Sequence, residues 1–332
     1  MNILGQIGNT PLLKLNRVND NPDVDIFVKC EFMNPGGSIK DRMALKMIEE
    51  AEQSGKLIPG GTIVDQSTGN TGPALSFVGA VKGYKVQLFL PSQLGSSYNP
   101  ADRIRIAKLF GCKVIPIDLN EHIEDVDKLG PVERAAAFVA VRMKQCHDLQ
   151  EREPLHWWAN QLCNFDNKEA HREGTGQEIL NQAEGKFDAW VASIGTGGTI
   201  LGVAEALKEQ NPDLIVAGVV PTDDPRLEWV RSRAVHRALE RFGVPKMRFL
   251  IEDILEKNLL DQEMIVKNED AKNMADRLCR EEGLFCGMSS GANVWAAVEL
   301  AKSMKKGSKI VTVLVDRRDR YFAEYPNEHY VV

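Results

Sequence analysis

Short apolar runs of strand length alternate with stretches of helical periodicity along most of the chain. Strands are predicted after Pro11 and at 25–29, 62–65, 85–90, 113–117, 157–161, 189–194, 214–220 and 309–315. Helices are predicted at 39–55, 74–82, 101–110, 132–147, 176–183, 200–209, 270–282 and 292–304. A strand–helix–strand order is typical of parallel βαβ units. We therefore expect a doubly wound α/β fold, in which ligands bind at the carboxyl ends of the strands.

The overall composition narrows the class of protein. The chain has 332 residues, of which 43% are hydrophobic and 27% charged, and its formal net charge is -6. This length suits one large or two medium domains, and the mild acidity disfavours a nucleic-acid surface. The apolar runs are shorter than the ~20 residues of a bilayer span, and the chain opens without a leader-like segment. The six cysteines show neither pair nor metal spacing, so we expect free thiols, no bound metal and a cytoplasmic location.

A chain-breaking stretch, Asn34-Pro35-Gly36-Gly37, leads into Ser38 and Lys40. A serine in this position can cap a helix, and the first turn of that helix carries partial positive charge. Such a turn disfavours an ammonium group and favours the free amine, which is the form of lysine that makes Schiff bases. An ordinary solvated lysine at a loop-to-helix junction is the alternative, and this stretch alone does not exclude it.

Three short loops rich in glycine and hydroxyl residues each precede a predicted helix: 66–72, 195–199 and 287–291. Backbone N–H groups that converge at a helix N-terminus bind anions. The loop 195–199 lacks both the Gly-Lys-Ser/Thr of a Walker A loop and the G-x-G-x-x-G spacing, which disfavours a dinucleotide-binding dehydrogenase. Together with Lys40, the three loops predict a bound small molecule that carries a phosphate and another anion.

The motif Lys29-x-Glu31-x-x-Asn34-Pro35-x-x-Ser38-x-Lys40-Asp41-Arg42 resembles the cofactor-lysine motif of the cysteine synthase / cystathionine β-synthase family, which uses pyridoxal 5'-phosphate. Further family motifs follow in the family's order, so the resemblance covers nearly the whole chain. These motifs are Ile7-Gly8-Asn9-Thr10-Pro11-Leu12, the three loops, Asn164-x-x-Asn167-x-x-Ala170-His171 and Asp316-Arg317-x-Asp319-Arg320-Tyr321. The stretches Phe285-Cys286-Gly287-Met288-Ser289-Ser290-Gly291 and Asp319-Arg320-Tyr321 most resemble the B-type cysteine synthases.

This resemblance implies fold type II of the pyridoxal-phosphate enzymes, a tryptophan synthase β-like α/β fold with mostly parallel twisted sheets and helices on both faces. It also implies two domains. Residues 1–35 with 151–332 would form the large, phosphate-binding domain. Residues 36–150 would form a smaller, mobile domain that carries Lys40 and the substrate-carboxylate loop.

The resemblance implies a role for each matched residue. Lys40 would form the Schiff base and then move the Cα proton of the substrate, and Asn70 would hydrogen-bond the phenolic oxygen of the cofactor. Ser289 would face the pyridine nitrogen and leave it unprotonated, which favours loss of a β-substituent over transamination. The phosphate would bind at Gly195, Thr196, Gly197, Gly198 and Thr199. The substrate carboxylate would bind at Ser67, Thr68, Gly69, Thr71 and Gln161.

The implied reaction is β-replacement on a serine- or cysteine-derived amino acid through an aminoacrylate intermediate. Cysteine synthesis from O-acetylserine or O-phosphoserine and sulfide is the favoured form. A cysteine β-lyase or lanthionine synthase that releases hydrogen sulfide, a 2,3-diaminopropionate-type synthase and a cystathionine β-synthase stay open as alternatives. A non-catalytic relative that binds a partner protein belongs to a different class, and the intact Lys40 disfavours it. By resemblance we expect a homodimer that acts on small molecules, without a membrane or nucleic-acid partner.

The chain departs from the family pattern in four places, the first of which is Ser67-Thr68 where the family's loop has Thr-Ser. The segment Gly95-Ser96-Ser97-Tyr98-Asn99-Pro100 is longer than its family counterpart, and Phe165 stands where the family has proline. The family's Gly-Ile-Gly loop, which borders the substrate side chain and the second nucleophile, is replaced by residues 235–243. These departures leave the leaving group and the nucleophile open.

Overall fold

The computed structural model of the protein describes residues 2–92, 99–123, 126–183, 185–222, 224 and 226–324. The chain folds into two compact units. Unit one comprises Met1–Lys46, Leu162–Asp224 and Arg248–Arg317, and unit two comprises Met47–Gln161, Pro225–Met247 and Arg318–Val332.

Strands and helices alternate through both units. The strands are β1 Leu12–Lys14, β2 Asp25–Lys29, β3 Thr62–Gln66, β4 Lys85–Pro91, β5 Lys113–Ile117, β6 His156–Trp158, β7 Ala189–Ser193, β8 Ile215–Pro221, β9 Gln262–Val266 and β10 Lys309–Val313. The α-helices are α1 Lys40–Gln53, α2 Thr71–Lys82, α3 Ala101–Leu109, α4 Pro131–Arg152, α5 Asp166–Glu169, α6 Gln177–Gln182, α7 Gly198–Gln210, α8 Arg226–Arg231, α9 Ala234–Arg241, α10 Leu250–Glu256, α11 Asn268–Glu282 and α12 Met288–Ala301. Short 3₁₀-helices span Ile3–Gln6, Glu31–Met33, Leu119–Glu121, Val126–Lys128 and Arg318–Glu324, and a π-helical segment spans Ala170–Gly176.

Unit one is built on a six-stranded sheet in the order β1–β2–β10–β7–β8–β9. β1 runs antiparallel to β2, and the remaining pairs are parallel. Ile310 of β10 pairs with Ile26 on one side and Ala189 on the other, and all three side chains are fully buried. Burial of the central strands is the pattern of a parallel sheet covered on both faces. The carboxyl ends of these parallel strands lie along one edge of the sheet.

Unit two is built on a four-stranded parallel sheet in the order β5–β4–β3–β6. The central strand β3 is buried at all five positions. Helix α4 begins at Pro131, whose fixed φ suits the first helical position. Phe242, which follows α9, packs against an apolar cluster that includes Leu119, Ile123, Ala137 and Val141.

Helices α8 and α9 of unit two take up most of the segment 226–243, which includes residues 235–243, expected to stand where the family has its Gly-Ile-Gly loop. Its apolar positions Leu227, Val235 and Leu239 are buried. Four of its arginines are exposed: Arg231, Arg233, Arg237 and Arg241. The predicted longer segment after Pro91 falls partly on 93–98, which lie outside the described residues.

The predicted parallel α/β fold is confirmed. The pattern missed α5, α8, α9, α10 and β9, and it placed the starts of three helices too late: α2 begins at Thr71, α7 at Gly198 and α12 at Met288. The division into 1–35 with 151–332 and 36–150 stays a prediction. The compact units have other boundaries, because 36–46 belongs to unit one while 151–161, 226–247 and 318–324 belong to unit two.

Two further features of the described residues concern membranes and metal ions. Every helix among them falls short of the length or the apolar character that crossing a membrane requires. The same ranges hold no group of three or more His, Cys, Asp or Glu side chains arranged for a metal ion.

Candidate active site

The loop before Lys40 is fastened to the carboxyl end of β10. The Ile39 N–H donates to the Val315 carbonyl at 2.9 Å, and the Arg317 N–H donates to the Gly37 carbonyl at 3.1 Å. The Ser38 hydroxyl, two residues before α1 begins, accepts the Lys40 N–H at 3.3 Å. These bonds fix the first turn of α1 and therefore the base of the Lys40 side chain.

A close approach explains one of the two glycines in this loop. The Gly36 N–H donates to Asp41 Oδ2 at 2.6 Å. A Cβ at Gly36 would lie 2.5 Å from Asp41 Oδ1, well inside contact distance. Asp41 therefore closes the loop back onto the helix only when residue 36 lacks a side chain.

A buried ion network holds α1 two residues beyond Lys40. Arg42 donates through Nε and Nη2 to the two Glu31 oxygens at 2.7 and 2.8 Å. It also donates through Nη1 and Nη2 to the two Glu178 oxygens at 2.7 Å each. Lys29 Nζ, which is fully buried, reaches Glu178 Oε2 at 2.7 Å and the Thr10 carbonyl at 2.6 Å. Bidentate pairs of this kind fix orientation as well as position.

This network accounts for several family-motif residues to which the sequence assigned no role. Thr10 donates to Glu31 at 2.6 Å, and Asn34 donates to Glu31 Oε2 at 2.8 Å and accepts the Gly8 N–H at 2.9 Å. Burial would raise the pKa of Glu178, but hydrogen bonds from Arg42 and Lys29 outweigh it and lower that pKa to about 2. Glu178 was missed because it lies 136 residues from Arg42, where no local pattern connects them.

The first turn of α12, which carries Ser289, is fastened to the same strand end. The Gly287 N–H donates to the Asp316 carbonyl at 2.9 Å, and the Val315 N–H donates to Ser290 Oγ at 2.8 Å. Cys286 also pairs with Arg317 in an isolated bridge. Lys40 and Ser289 thus start from loops that both bind residues 315–317.

The predicted phosphate loop follows β7 and enters α7. Gly197 has φ = 94°, a left-handed conformation that favours glycine. A Cβ at Gly198 would lie 2.3 Å from Asn167 Oδ1, and Asn167 Nδ2 donates to Thr196 Oγ1 at 2.9 Å. Asn167 thus supports the loop at Gly198, and the two glycines keep Cβ atoms away from the start of α7. This cradle suits an anionic group such as a phosphate.

A buried histidine supports the last residue of this loop. His171 Nε2 lies 3.2 Å from Thr199 Oγ1, and Nδ1 lies 3.0 Å from Thr175 Oγ1. Complete burial lowers the pKa of His171 well below 6.5, and the charges of Lys40 and Arg42 lower it further. The imidazole is therefore neutral and orients the Thr199 hydroxyl.

The predicted carboxylate loop lies in unit two, between β3 and α2. The Thr71 hydroxyl donates to Gln161 Oε1, and Gln161 Nε2 donates to the Gln66 carbonyl at 3.0 Å. Ser67 Oγ accepts the Gly69 N–H at 3.1 Å. These bonds join Thr71 and Gln161 to the carboxyl end of β3 at Gln66, directly before Ser67 in the chain.

Asp65, at the fourth position of β3, supports this group from inside the unit. Its carboxylate accepts from the Gln66 N–H at 2.8 Å, from Trp158 Nε1 at 3.3 Å and from the Gln161 N–H at 3.4 Å. Burial raises the pKa of Asp65 to about 7. No sequence pattern indicated this role, because a single aspartate in an apolar strand has many explanations.

Asn70 stands at the N-cap of α2, but its side chain makes no capping hydrogen bond. Instead, Arg320 Nη1 donates to Asn70 Oδ1 at 2.9 Å. The matched residues therefore fall into two groups. Unit one holds Lys40, Gly195–Thr199 and Ser289, and unit two holds Ser67–Thr71 and Gln161.

Comparisons with known proteins show to which family the chain is similar. Residues 3–316 match the family described as pyridoxal-phosphate dependent enzyme. The chain is 36% identical to a cysteine synthase of Staphylococcus aureus over 323 residues, which cover 97% of this chain and 95% of the relative. It is 34% identical to the cystathionine β-synthase of Dictyostelium discoideum over 333 residues, which cover 100% of this chain but 62% of that relative.

Solved structures show the same likeness. The structure of a hydrogen sulfide-producing enzyme from Fusobacterium nucleatum has a TM-score of 0.78 and 31% identity, with 96% of this chain and 99% of that chain covered. A cysteine synthase from Entamoeba histolytica has a TM-score of 0.77 and 31% identity, with 97% and 89% covered.

Proposed function

The chain belongs to the family of pyridoxal-phosphate dependent enzymes, and on that premise we propose that it catalyses β-replacement on a serine- or cysteine-derived amino acid. The favoured reaction makes cysteine from O-acetylserine or O-phosphoserine and sulfide. Relatives named cysteine synthase, similar over nearly their whole length, support this reaction.

The bound cofactor supplies an electron sink for the negative charge that develops at the substrate Cα. Lys40 would hold the cofactor through Nζ, and its amine, once released, would take the Cα proton. The fixed first turn of α1 limits where Nζ can reach. The buried network around Arg42 adds to this restriction, because it prevents rotation of the helix that carries the lysine.

The remaining residues bind and orient. The cradle at Gly195–Thr199 would hold the phosphate through backbone N–H groups, with Thr199 Oγ1 oriented by His171. Ser289 would present a neutral hydroxyl to the pyridine nitrogen, so no carboxylate there stabilises a protonated ring. The group formed by Ser67, Thr68, Gly69, Thr71 and Gln161 would bind the substrate carboxylate through hydroxyl, amide and backbone donors.

The observation that carries this proposal is the attachment of the Lys40 loop and the Ser289 turn to the same residues, 315–317. An amine nucleophile, a neutral hydroxyl and an anion cradle within one unit suit a cofactor that has an aldehyde, a ring nitrogen and a phosphate. Loss of a β-substituent follows from a serine, rather than an acid, at the ring nitrogen.

The test is the visible absorption of the purified protein with bound cofactor, recorded before and after O-acetylserine, O-phosphoserine, cysteine and serine in turn. A donor that changes the band and then yields cysteine when sulfide is added would support the proposal and identify the leaving group. A cofactor band that none of the four donors changes would overturn β-replacement on this substrate class.

Release of sulfide from cysteine is the second candidate. The Fusobacterium neighbour is named as a hydrogen sulfide-producing enzyme, and α8 with α9 replaces the loop that borders the substrate side chain in the family. Cysteine as the only reactive donor, with sulfide as product, would favour this candidate over cysteine synthesis.

We also propose a cytoplasmic homodimer. All six cysteines are free thiols, which suits a reducing compartment. The dimer rests on the family resemblance, and light scattering of the purified protein tests it.

A further inference from the structure

Asn70 is a preferred helix-capping residue that does not cap its helix. Asparagine at an N-cap ordinarily turns its side-chain oxygen to the N–H groups of the first turn. Asn70 has the N-cap position of α2 with φ = -68° and ψ = -17°, and its side chain makes no such bond. Its oxygen is instead held by Arg320, so the amide serves something other than the helix.

Arg320 fixes which end of the Asn70 amide faces outward. The guanidinium only donates hydrogen bonds and stays charged at all physiological pH values. With Nη1 at 2.9 Å from Oδ1, the amide oxygen must face Arg320 and the NH₂ group must face away from it. The positive charge beside the oxygen also polarises the amide, which makes its N–H a stronger donor.

The turn that carries Arg320 is anchored within unit two. The Arg103 guanidinium lies over the Tyr321 ring, 4.5 Å from its centroid. The Ala323 N–H donates to Asp102 Oδ2 at 2.6 Å. Arg320 itself is only 2% exposed. The 318–324 turn is therefore held on α3, and the guanidinium has little freedom to leave Asn70.

We propose that Arg320 is a positioning residue that presents the Asn70 NH₂ group to the phenolic oxygen of the cofactor and strengthens that hydrogen bond. The inference rests on the proposed function and on the role that the family resemblance implies for Asn70, a hydrogen bond to this oxygen. Arg320 acts through Asn70 and does not itself touch the cofactor. Its loss should thus favour the protonated phenol and weaken cofactor binding.

The test compares Arg320→Met, Arg320→Lys, Asn70→Ala and the double variant Arg320→Met/Asn70→Ala with the parent holoenzyme. Cofactor dissociation constants and the position of the visible band are measured, together with the melting temperature without cofactor. Lys108→Met, which removes an exposed cation from α3, is the matched control.

We expect Arg320→Met to raise the dissociation constant about tenfold, the effect of one misdirected hydrogen bond, and to shift absorption to shorter wavelength. Arg320→Lys should recover part of the band position, since it keeps a charged donor. The double variant should bind the cofactor no more weakly than Asn70→Ala alone, because both changes act on one hydrogen bond. The control should resemble the parent.

Additive losses in the double variant, or a lower melting temperature of Arg320→Met with an unchanged band, would overturn the proposal. A parent protein that binds no cofactor would overturn it as well. A parent that binds the cofactor but reacts with no donor would overturn the proposed function, and the band shift would still decide the role of Arg320.

Discussion

Glu178 gives the sharpest test of how the turn that carries Lys40 is held. Its carboxylate accepts two hydrogen bonds from Arg42 and an ion pair from Lys29, and its side chain is 16% exposed. Burial would raise the pKa of Glu178, but these partners lower it from 4.5 to about 2. At about 1.4 kcal/mol for each tenfold change in proton affinity, the ionised carboxylate contributes about 3 kcal/mol to the free energy of unfolding.

Glu178→Gln removes this charge and keeps the side-chain shape. We expect the free energy of unfolding at pH 7 to fall by about 3 kcal/mol, because Lys29 and Arg42 then share a buried site with one carboxylate fewer. The folded pKa lies below the unfolded value, so the contribution is complete above pH 4.5 and is lost as the pH falls toward about 2. The gap between variant and parent should therefore narrow over that interval.

Urea unfolding of the purified protein, followed by circular dichroism from neutral to acidic pH, measures this gap. Glu299→Gln is the matched control, since Glu299 makes a more exposed ion pair with Lys302, of a kind worth roughly 0–1 kcal/mol. A loss in Glu178→Gln no larger than in the control would refute the reasoning. So would a gap that stays constant as the pH falls from 5 toward 3.

Three further changes test other parts of the site. Gly198→Ala should weaken cofactor binding at least about tenfold, because its Cβ would lie 2.3 Å from Asn167 Oδ1 and displace the cradle. Spectroscopic titration with pyridoxal phosphate measures this affinity. An unchanged affinity would contradict the assignment of residues 195–199 as the phosphate-binding cradle. The free energy of unfolding of Asp65→Asn should increase relative to that of the parent as the pH rises from 3.8 to about 7. Burial raises the pKa of Asp65, so ionisation of this carboxyl destabilises the folded parent over that range. Unfolding curves at both ends of the range measure the difference. His171→Phe should weaken cofactor binding by about three- to tenfold through the unsupported Thr199 hydroxyl, and equal affinity would show that this support is dispensable.

Much of the architecture was predictable because the central strands are short, apolar and bounded by polar turns. β2, which lies inside its sheet, has the predicted limits Asp25–Lys29. β9 was missed for the converse reason: it is an edge strand, and Ile265 within it is 66% exposed. Edge strands lack the continuous burial that gives central parallel strands a recognisable apolar run in the sequence. Helices α8 and α9 are short. The four exposed arginines within and between them separate the apolar residues, so the helical periodicity was not recognised.

The residue types of the site were predictable, but the contacts that hold them were not. Motif spacing indicated Lys40, the phosphate loop and the carboxylate loop. Glu178, Asp65 and Arg320 support these elements through contacts that are distant in sequence or hidden in a strand. A hydrogen bond between residues far apart in the chain produces no periodic pattern in the sequence. The supporting residues could therefore be identified only in the structure.

The late helix starts have one physical cause, and it bears on the chemistry. Helices α2, α7 and α12 begin with Thr71, Gly198 and Met288, so the small residues assigned to loops form their first turns. Glycine, serine and threonine have low helix propensity, which hides such starts from a periodicity argument. Yet the first turn is where backbone N–H groups lack intrahelical partners, and only small side chains leave those groups open to a ligand. The composition that obscured the helix starts is therefore the one that an anion-binding helix terminus requires.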